Sequence, residues 1–163
     1  PVEGLTGVAV DVRPPAYDLP AGCELRHVDD EAGFRDYLDV IADVYQLGDA
    51  PLELREGLLF PLESVRTPDM GVFVLYKDGR PMSASANYVA GGCGGMQWTG
   101  TRTESTGRGY GKITCAAAWD FAFDRGQDLV VGQASALGTP VWHSMGFRTV
   151  TRYRRFRCPP ARR

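Results

Sequence analysis

Residues 106–114 read TGRGYGKIT, with Gly107, Gly109 and Gly111 alternating with Arg108 and Tyr110 and followed by Lys112. Glycine at this density lets backbone approach another group closely or adopt positive φ. If the stretch joins a strand to a helix, successive loop amides and the unpaired N–H groups of the first helical turn converge on one point. The helix dipole then adds to their attraction for an anion. Arg108 and Lys112 supply positive charge beside it. The chemistry on offer is binding of a phosphate or pyrophosphate; no residue inside the loop is an obvious catalyst. A plain tight turn between strand and helix stands beside this reading.

Two other phosphate loops do not fit. A P-loop needs GxxxxGK[ST], so that a hydroxyl after the lysine reaches a metal ion. Here Lys112 is followed by Ile113, Thr114 falls one place late, and Thr106 occupies the first glycine position. The dinucleotide fingerprint GxGxxG follows the first strand of a doubly wound sheet. The glycines here read GxGxG and lie past the middle of the chain.

The elements around the loop follow from periodicity and turn chemistry. Residues 1–22 are rich in Pro and Gly and read as an extension or linker around a possible edge strand at Val8–Val12. CELRHV (23–28) alternates as a short strand. Asp29 and Asp30 can cap a helix whose stripe is Phe34, Tyr37, Leu38, Ile41, Val44 and Tyr45, with Gly48 as its stop. PLELREGLLFPLES (51–64) predicts a second, shorter helix. Two strands then flank the hairpin signal Asp78-Gly79. GGCGG (91–95) predicts a turn, and residues 96–101 a strand. Beyond the loop come a helix to Gly126, a buried strand through DLVVGQAS, a short helix in TPVWHSMG and a long last strand, FRTVTRYRRFR. The order is β-α-α-β-β-β-loop-α-β-α-β, with a parallel crossover only around the helix at 109–126.

Composition narrows the class. The 163 residues suffice for one domain, and 44% hydrophobic with 23% charged residues is ordinary for a soluble globular protein. A net charge of −2 offers no general attraction to nucleic acid or to anionic membrane. The basic end, TRYRRFRCPPARR, reads as a solvated strand edge and tail. Cys23, Cys93, Cys115 and Cys158 are scattered without zinc-ligand spacing, so no metal is expected and free thiols in a reducing cytoplasm are. No stretch approaches the length of a membrane span, and no signal peptide is expected. The chain begins at Pro1 without a methionine, which fits a processed chain or a piece of a longer one.

Read together, WTGTRTESTGRGYGKITCAAAWDFAFDRG and VVGQASALGTPVWHSMGFRTVTRY resemble the GNAT superfamily of acyl-CoA-dependent N-acetyltransferases. The family motif Q/R-x-x-G-x-G/A falls on Thr106 to Gly111, and Gln133–Phe147 resembles its fifth strand, fourth helix and Gly-Phe start of the next strand. The likeness covers about residues 23–157, leaving 158–163 as a basic tail. It implies an α/β (α+β) fold with a mixed, mostly antiparallel sheet flanked by helices. It implies acetyl-CoA as co-substrate, its pyrophosphate on the amides of Thr106, Gly107, Arg108, Gly109, Tyr110, Gly111 and Lys112. The pantetheine arm would run beside Thr99, Gly100 and Thr101, where strands 96–101 and 128–134 part.

The resemblance also implies the reaction: a neutral amine attacks the thioester, strand amides stabilise the oxyanion, and an acid protonates the leaving thiolate. Trp142, counted with the acetyl-CoA contacts, stands where the family often has a tyrosine acid, and an indole N–H is no acid at neutral pH. Ser135 stands where many members have Asn, and its hydroxyl can hydrogen-bond directly or through water. Ser135 and Glu104, the latter just before the loop, are the candidate catalytic residues; the plain reading of Glu104 is a solvated carboxylate. His143 neighbours Trp142 but projects elsewhere, and His27 reads as structural. Trp98 and Tyr45 could line the acceptor cleft, where Asp49 and Glu53 would suit a cationic amine. The expected acceptor is a small-molecule or peptide primary amine. The runner-up comes from a different class, a CoA-binding regulatory or structural domain without turnover, which Trp142 motivates. The last strand could pair with a second GNAT-like unit or a second copy.

Overall fold

A computed structural model describes residues 2–48 and 50–156. Its strands are β1 (Val2–Val10), β2 (Cys23–His27), β3 (Met70–Lys77), β4 (Arg80–Ala90), β5 (Cys93–Thr101), β6 (Val130–Ala134) and β7 (Arg148–Arg155). Its helices are α1 (Glu31–Val44), α2 (Leu52–Leu58), α3 (Tyr110–Asp124) and α4 (Thr139–Ser144). The strands form one sheet in the order β2-β3-β4-β5-β6-β1-β7, antiparallel throughout except for β5 with β6. This is the mixed, mostly antiparallel sheet with flanking helices that the resemblance implies.

Local chemistry explains most of these elements. The carboxylate of Asp30 accepts from the Gly33 N–H at 2.7 Å and starts α1, whose Phe34, Tyr37, Leu38 and Ile41 are fully buried against the sheet. The helix ends at Val44, four residues short of the predicted stop at Gly48, and Tyr45 lies at its C-cap, partly exposed. The predicted second helix is split. Pro61 lacks an N–H and its ring crowds the preceding turn, so α2 stops at Leu58 and a separate 3-10 turn spans Leu62–Arg66. Asp78 and Gly79 both take positive φ in the β3–β4 hairpin, as that dipeptide predicts.

Two strand expectations need correction. The Val8–Val12 patch is no edge strand: β1 lies inside the sheet, Thr6 opposite Ala134 of β6 and Arg152 of β7. Val8 and Val10 are fully buried beside Trp119 and Val130, and that apolar face is the reason the segment is drawn inside. The segment read as an extension thus contributes a strand to the sheet as far as Val10. The turn predicted over 91–95 is confined to Gly91 and Gly92, and β5 begins at Cys93. Gly94 belongs to the strand because α3 crosses it so closely that a Cβ there would lie 2.5 Å from that of Ala122.

The two faces of the sheet carry separate cores. One packs α1 onto β3 and β4 through Tyr37, Leu38, Ile41, Val72 and Val74; the other packs α3 onto β1 and β6 around Trp119. Among the described residues, no helix is long and apolar enough to cross a membrane.

Candidate functional site

β5 and β6 pair only at Gly94–Val130 and Gly95–Val131. Among the described strands β5 pairs from Met96 onward with β4 alone, so its other backbone edge faces a wedge that opens toward the strand's C-terminal end. The glycine loop stands at that open end, between the 3-10 turn Thr103–Ser105 and the first residue of α3.

Within the loop Gly107 and Gly109 have φ of 77° and 83°, the left-handed region that side chains resist. A Cβ at either position would meet nothing within 4 Å, so the space beside the backbone is open. Among the described residues no carbonyl or side chain accepts from the N–H groups of Gly107, Arg108 or Gly109. Gly109 is the N-cap of α3; among the described residues the first-turn N–H groups of Tyr110 and Gly111 also have no acceptor, whereas that of Lys112 donates to the Gly109 carbonyl at 3.0 Å. The loop therefore presents several unpaired donors in open space at the positive end of a 15-residue helix.

The other motif residues have distinct places. Tyr110 is buried among Leu75, Met82 and Ile113, so it offers the loop only its backbone. Gly111 lies one residue inside α3, where a Cβ would come 2.9 Å from Thr101 Oγ1; it serves close helix–strand packing. The Thr106 hydroxyl donates to the Thr103 carbonyl at 2.9 Å. Arg108 is exposed and Lys112 half-buried.

Thr99 to Thr101 are fixed from both faces. Two residues, Trp98 and Thr99, bulge opposite Ser85, and Trp98 has φ of 38°. From the α1 side the Tyr37 hydroxyl donates to the Trp98 carbonyl at 3.3 Å and the Tyr45 hydroxyl to the Thr99 carbonyl at 3.2 Å. From the α3 side Ser83 Oγ donates to the Gly100 carbonyl at 2.9 Å and also meets Thr101 Oγ1 and Thr114 Oγ1. Ser85 Oγ donates to Thr99 Oγ1 at 2.9 Å. Sequence reasoning passed over these hydroxyls; the signal was the Ser-Ala-Ser-Ala alternation at 83–86, a small polar face on a strand. Burial pushes the Tyr37 and Tyr45 phenols up and raises the Cys115 thiol to about 11, so this thiol stays protonated at neutral pH.

The candidate catalytic residues lie near the same end of the wedge. Ser135 follows β6; its Oγ accepts from the Gly138 N–H at 3.1 Å and shapes the turn into α4. Glu104 precedes the loop and is ion-paired with Arg80 at 2.9 Å. Trp142 is buried, its ring edge-on to Phe147 at 4.6 Å and against Gly132. His143 is hydrogen-bonded to Thr149 of β7 at 2.9 Å. His27 packs on Phe73 and Phe121, and burial lowers its pKa. Trp98 and Tyr45 stack edge to face at 5.1 Å over the bulge. Glu53 is exposed on α2, and Asp49 lies outside the described residues. Among the described residues no cluster of His, Cys, Asp and Glu could hold a metal ion.

No family model matches the chain, and no curated protein matches it. Solved structures do. A GCN5-related N-acetyltransferase from Kribbella flavida superposes with a TM-score of 0.70 at 19% identity, over 93% of this chain and 56% of its own. One from Sphaerobacter thermophilus gives 0.78 at 17% identity, over 94% and 50%. AAC(6')-Iy, in complex with the bisubstrate analogue CoA-S-monomethyl-acetylneamine, gives 0.67 at 14% identity, over 83% and 99%. The chain thus spans about half of the first two proteins. With its seven-stranded sheet, parted β5 and β6 and glycine loop at the start of α3, this chain has the fold of the GCN5-related N-acetyltransferases.

Proposed function

We propose that the chain is an N-acetyltransferase that moves the acetyl group of acetyl-CoA onto a primary amine. The observation that carries this reading is the set of unpaired N–H groups at Gly107–Gly109, opening without side chains beside the wedge between β5 and β6. The loop amides and the start of α3 would hold the pyrophosphate, with Arg108 and Lys112 beside it. The free edge of β5 at Thr99–Thr101 would hydrogen-bond the pantetheine arm as a neighbouring strand does. An uncharged amine attacks the thioester carbonyl; the C–N bond forms, and the oxyanion is stabilised by a backbone N–H near the bulge. The C–S bond then breaks, the attacking nitrogen loses a proton, and the thiolate takes one up, directly or through water. Ser135, whose O–H remains free to donate while Oγ accepts from Gly138, is assigned a hydrogen bond to the arm. Glu104 acts as base only if it leaves Arg80.

The second reading is a CoA-binding domain without turnover, and buried Trp142 at the acid position favours it. Cytoplasmic residence fits both, as does pairing of the exposed β7 edge with a second unit or a second copy. Calorimetric titration with acetyl-CoA, free CoA and ADP tests the shared part: micromolar acetyl-CoA binding with much weaker ADP is expected, and no binding overturns it. An amine screen on a protein that binds then separates the readings, since turnover excludes the second.

A further inference from the structure

A second cavity lies on the α1 side of the sheet, away from the glycine loop. It has a volume of about 410 Å³ and is lined by Asp39, Asp43 and Gln46 of α1 and its exit turn, Arg55 of α2, and Arg102, the residue after β5. Both guanidiniums are largely withdrawn from water, with side chains 18% and 16% exposed. Their donors are only partly used. Arg55 donates to Asp39 at 2.7 Å and to the Gly48 carbonyl at 3.3 Å, while its buried Nε–H has no partner among the described residues. Arg102 donates from Nε to the Pro81 carbonyl at 2.9 Å, but its Nη1 stands 3.8 Å from Asp43, beyond hydrogen-bond length.

A guanidinium has five N–H donors in a planar fork, and burying them unmatched costs free energy. A carboxylate matches that fork with two parallel charge-assisted bonds. Among the described residues the lining is neutral, two arginines against two aspartates. A dianion would gain from the arginines and lose to Asp39 and Asp43, whereas a ligand with both charges can satisfy both pairs.

From this unspent, charge-balanced donor set we propose that the cavity binds a free amino acid, its carboxylate on Arg102 and Arg55 and its ammonium on Asp43 or Asp39. Arg102 directly follows Thr101, so an amino acid seated here lies along the same strand as the proposed thioester site. That it is the acetyl acceptor rests on the acetyltransferase reading; that it binds does not.

The test therefore omits any CoA compound. The twenty standard amino acids are pooled for ligand-observed NMR on the protein, and each hit is compared with its decarboxylated amine. At least one hit is expected, binding about tenfold or more tightly than the amine that lacks the carboxylate. In Arg102→Gln, checked for folding by thermal unfolding, that preference is expected to vanish, and in Arg102→Lys to return in part. No hit, or a hit that binds no better than its decarboxylated amine, overturns the proposal, and both comparisons use the unmutated protein. Failure of acetyl-CoA to bind would instead overturn the reaction and leave the amino-acid site standing.

Discussion

Tyr45 and Thr99 join the end of α1 to the middle of β5: the phenol donates to the backbone carbonyl at 3.2 Å, next to a tryptophan held at φ of 38°. Together with Tyr37 on Trp98, this grips a bulge that would otherwise expose two carbonyls to a partly apolar cleft. The strand proposed to face the thioester is therefore held by helix α1 as well as by its sheet neighbour β4.

Tyr45→Phe removes one hydrogen bond and little packing. A loss of about 1 kcal/mol is expected, corresponding to a fall in Tm of about 2–4 °C for a chain of this size. Thermal unfolding checks it; an unchanged Tm would mean that the hydroxyl bonds equally well to water.

Gly109→Val places a branched side chain at φ of 83° beside open space. Strain of about 1–2 kcal/mol is expected, together with an acetyl-CoA affinity at least about tenfold weaker than that of the unmutated protein. Calorimetry on the folded variant reads the second effect. Unaltered affinity would remove the loop from the binding site.

Gly94→Val should act through packing alone. Ala122 Cβ and the Asn87 amide stand 2.5 and 2.9 Å from the position of the new Cβ, so α3 must shift. Overpacking of this kind costs about 1–3 kcal/mol, read as a lower urea midpoint.

The Cys115 thiol, raised from 9.0 to about 11 by burial, gives stability a pH dependence with a definite sign. Between those values the unfolded chain loses its proton while the folded chain keeps it, so stability falls as pH rises through the window. The limit is on the order of 2–3 kcal/mol for two pH units. Cys115→Ala should flatten that slope in urea titrations at successive pH values. An equally steep slope in the variant would assign the dependence to other groups.

What was legible in the sequence was mostly local. Asp78-Gly79 specifies its own hairpin, and Asp30 with the stripe from Phe34 to Ile41 specifies α1, because every interaction involved spans a few residues. The glycine loop was legible for the same reason. The inner position of β1 was not: Val8 and Val10 read alike on an edge or in a core, and only distant β6 and β7 decide between them. Gly111 was grouped with the loop by spacing, whereas Thr101, ten residues earlier, sets its actual role. Arg102 carried no signal, since its partners Pro81 and Asp43 come from other elements.

The seating of β1 between β6 and β7 also bears on how the chain is made. Its partners in β6 follow it by on the order of 120 residues, so during synthesis at roughly 5–20 residues per second it waits many seconds with Val8 and Val10 uncovered. Among the described strands β7 has no neighbour but β1 and cannot dock until β1 has. Within this sheet the strand made first is thus completed by the one made last, and interruption between them would release a chain with one core closed and the other open.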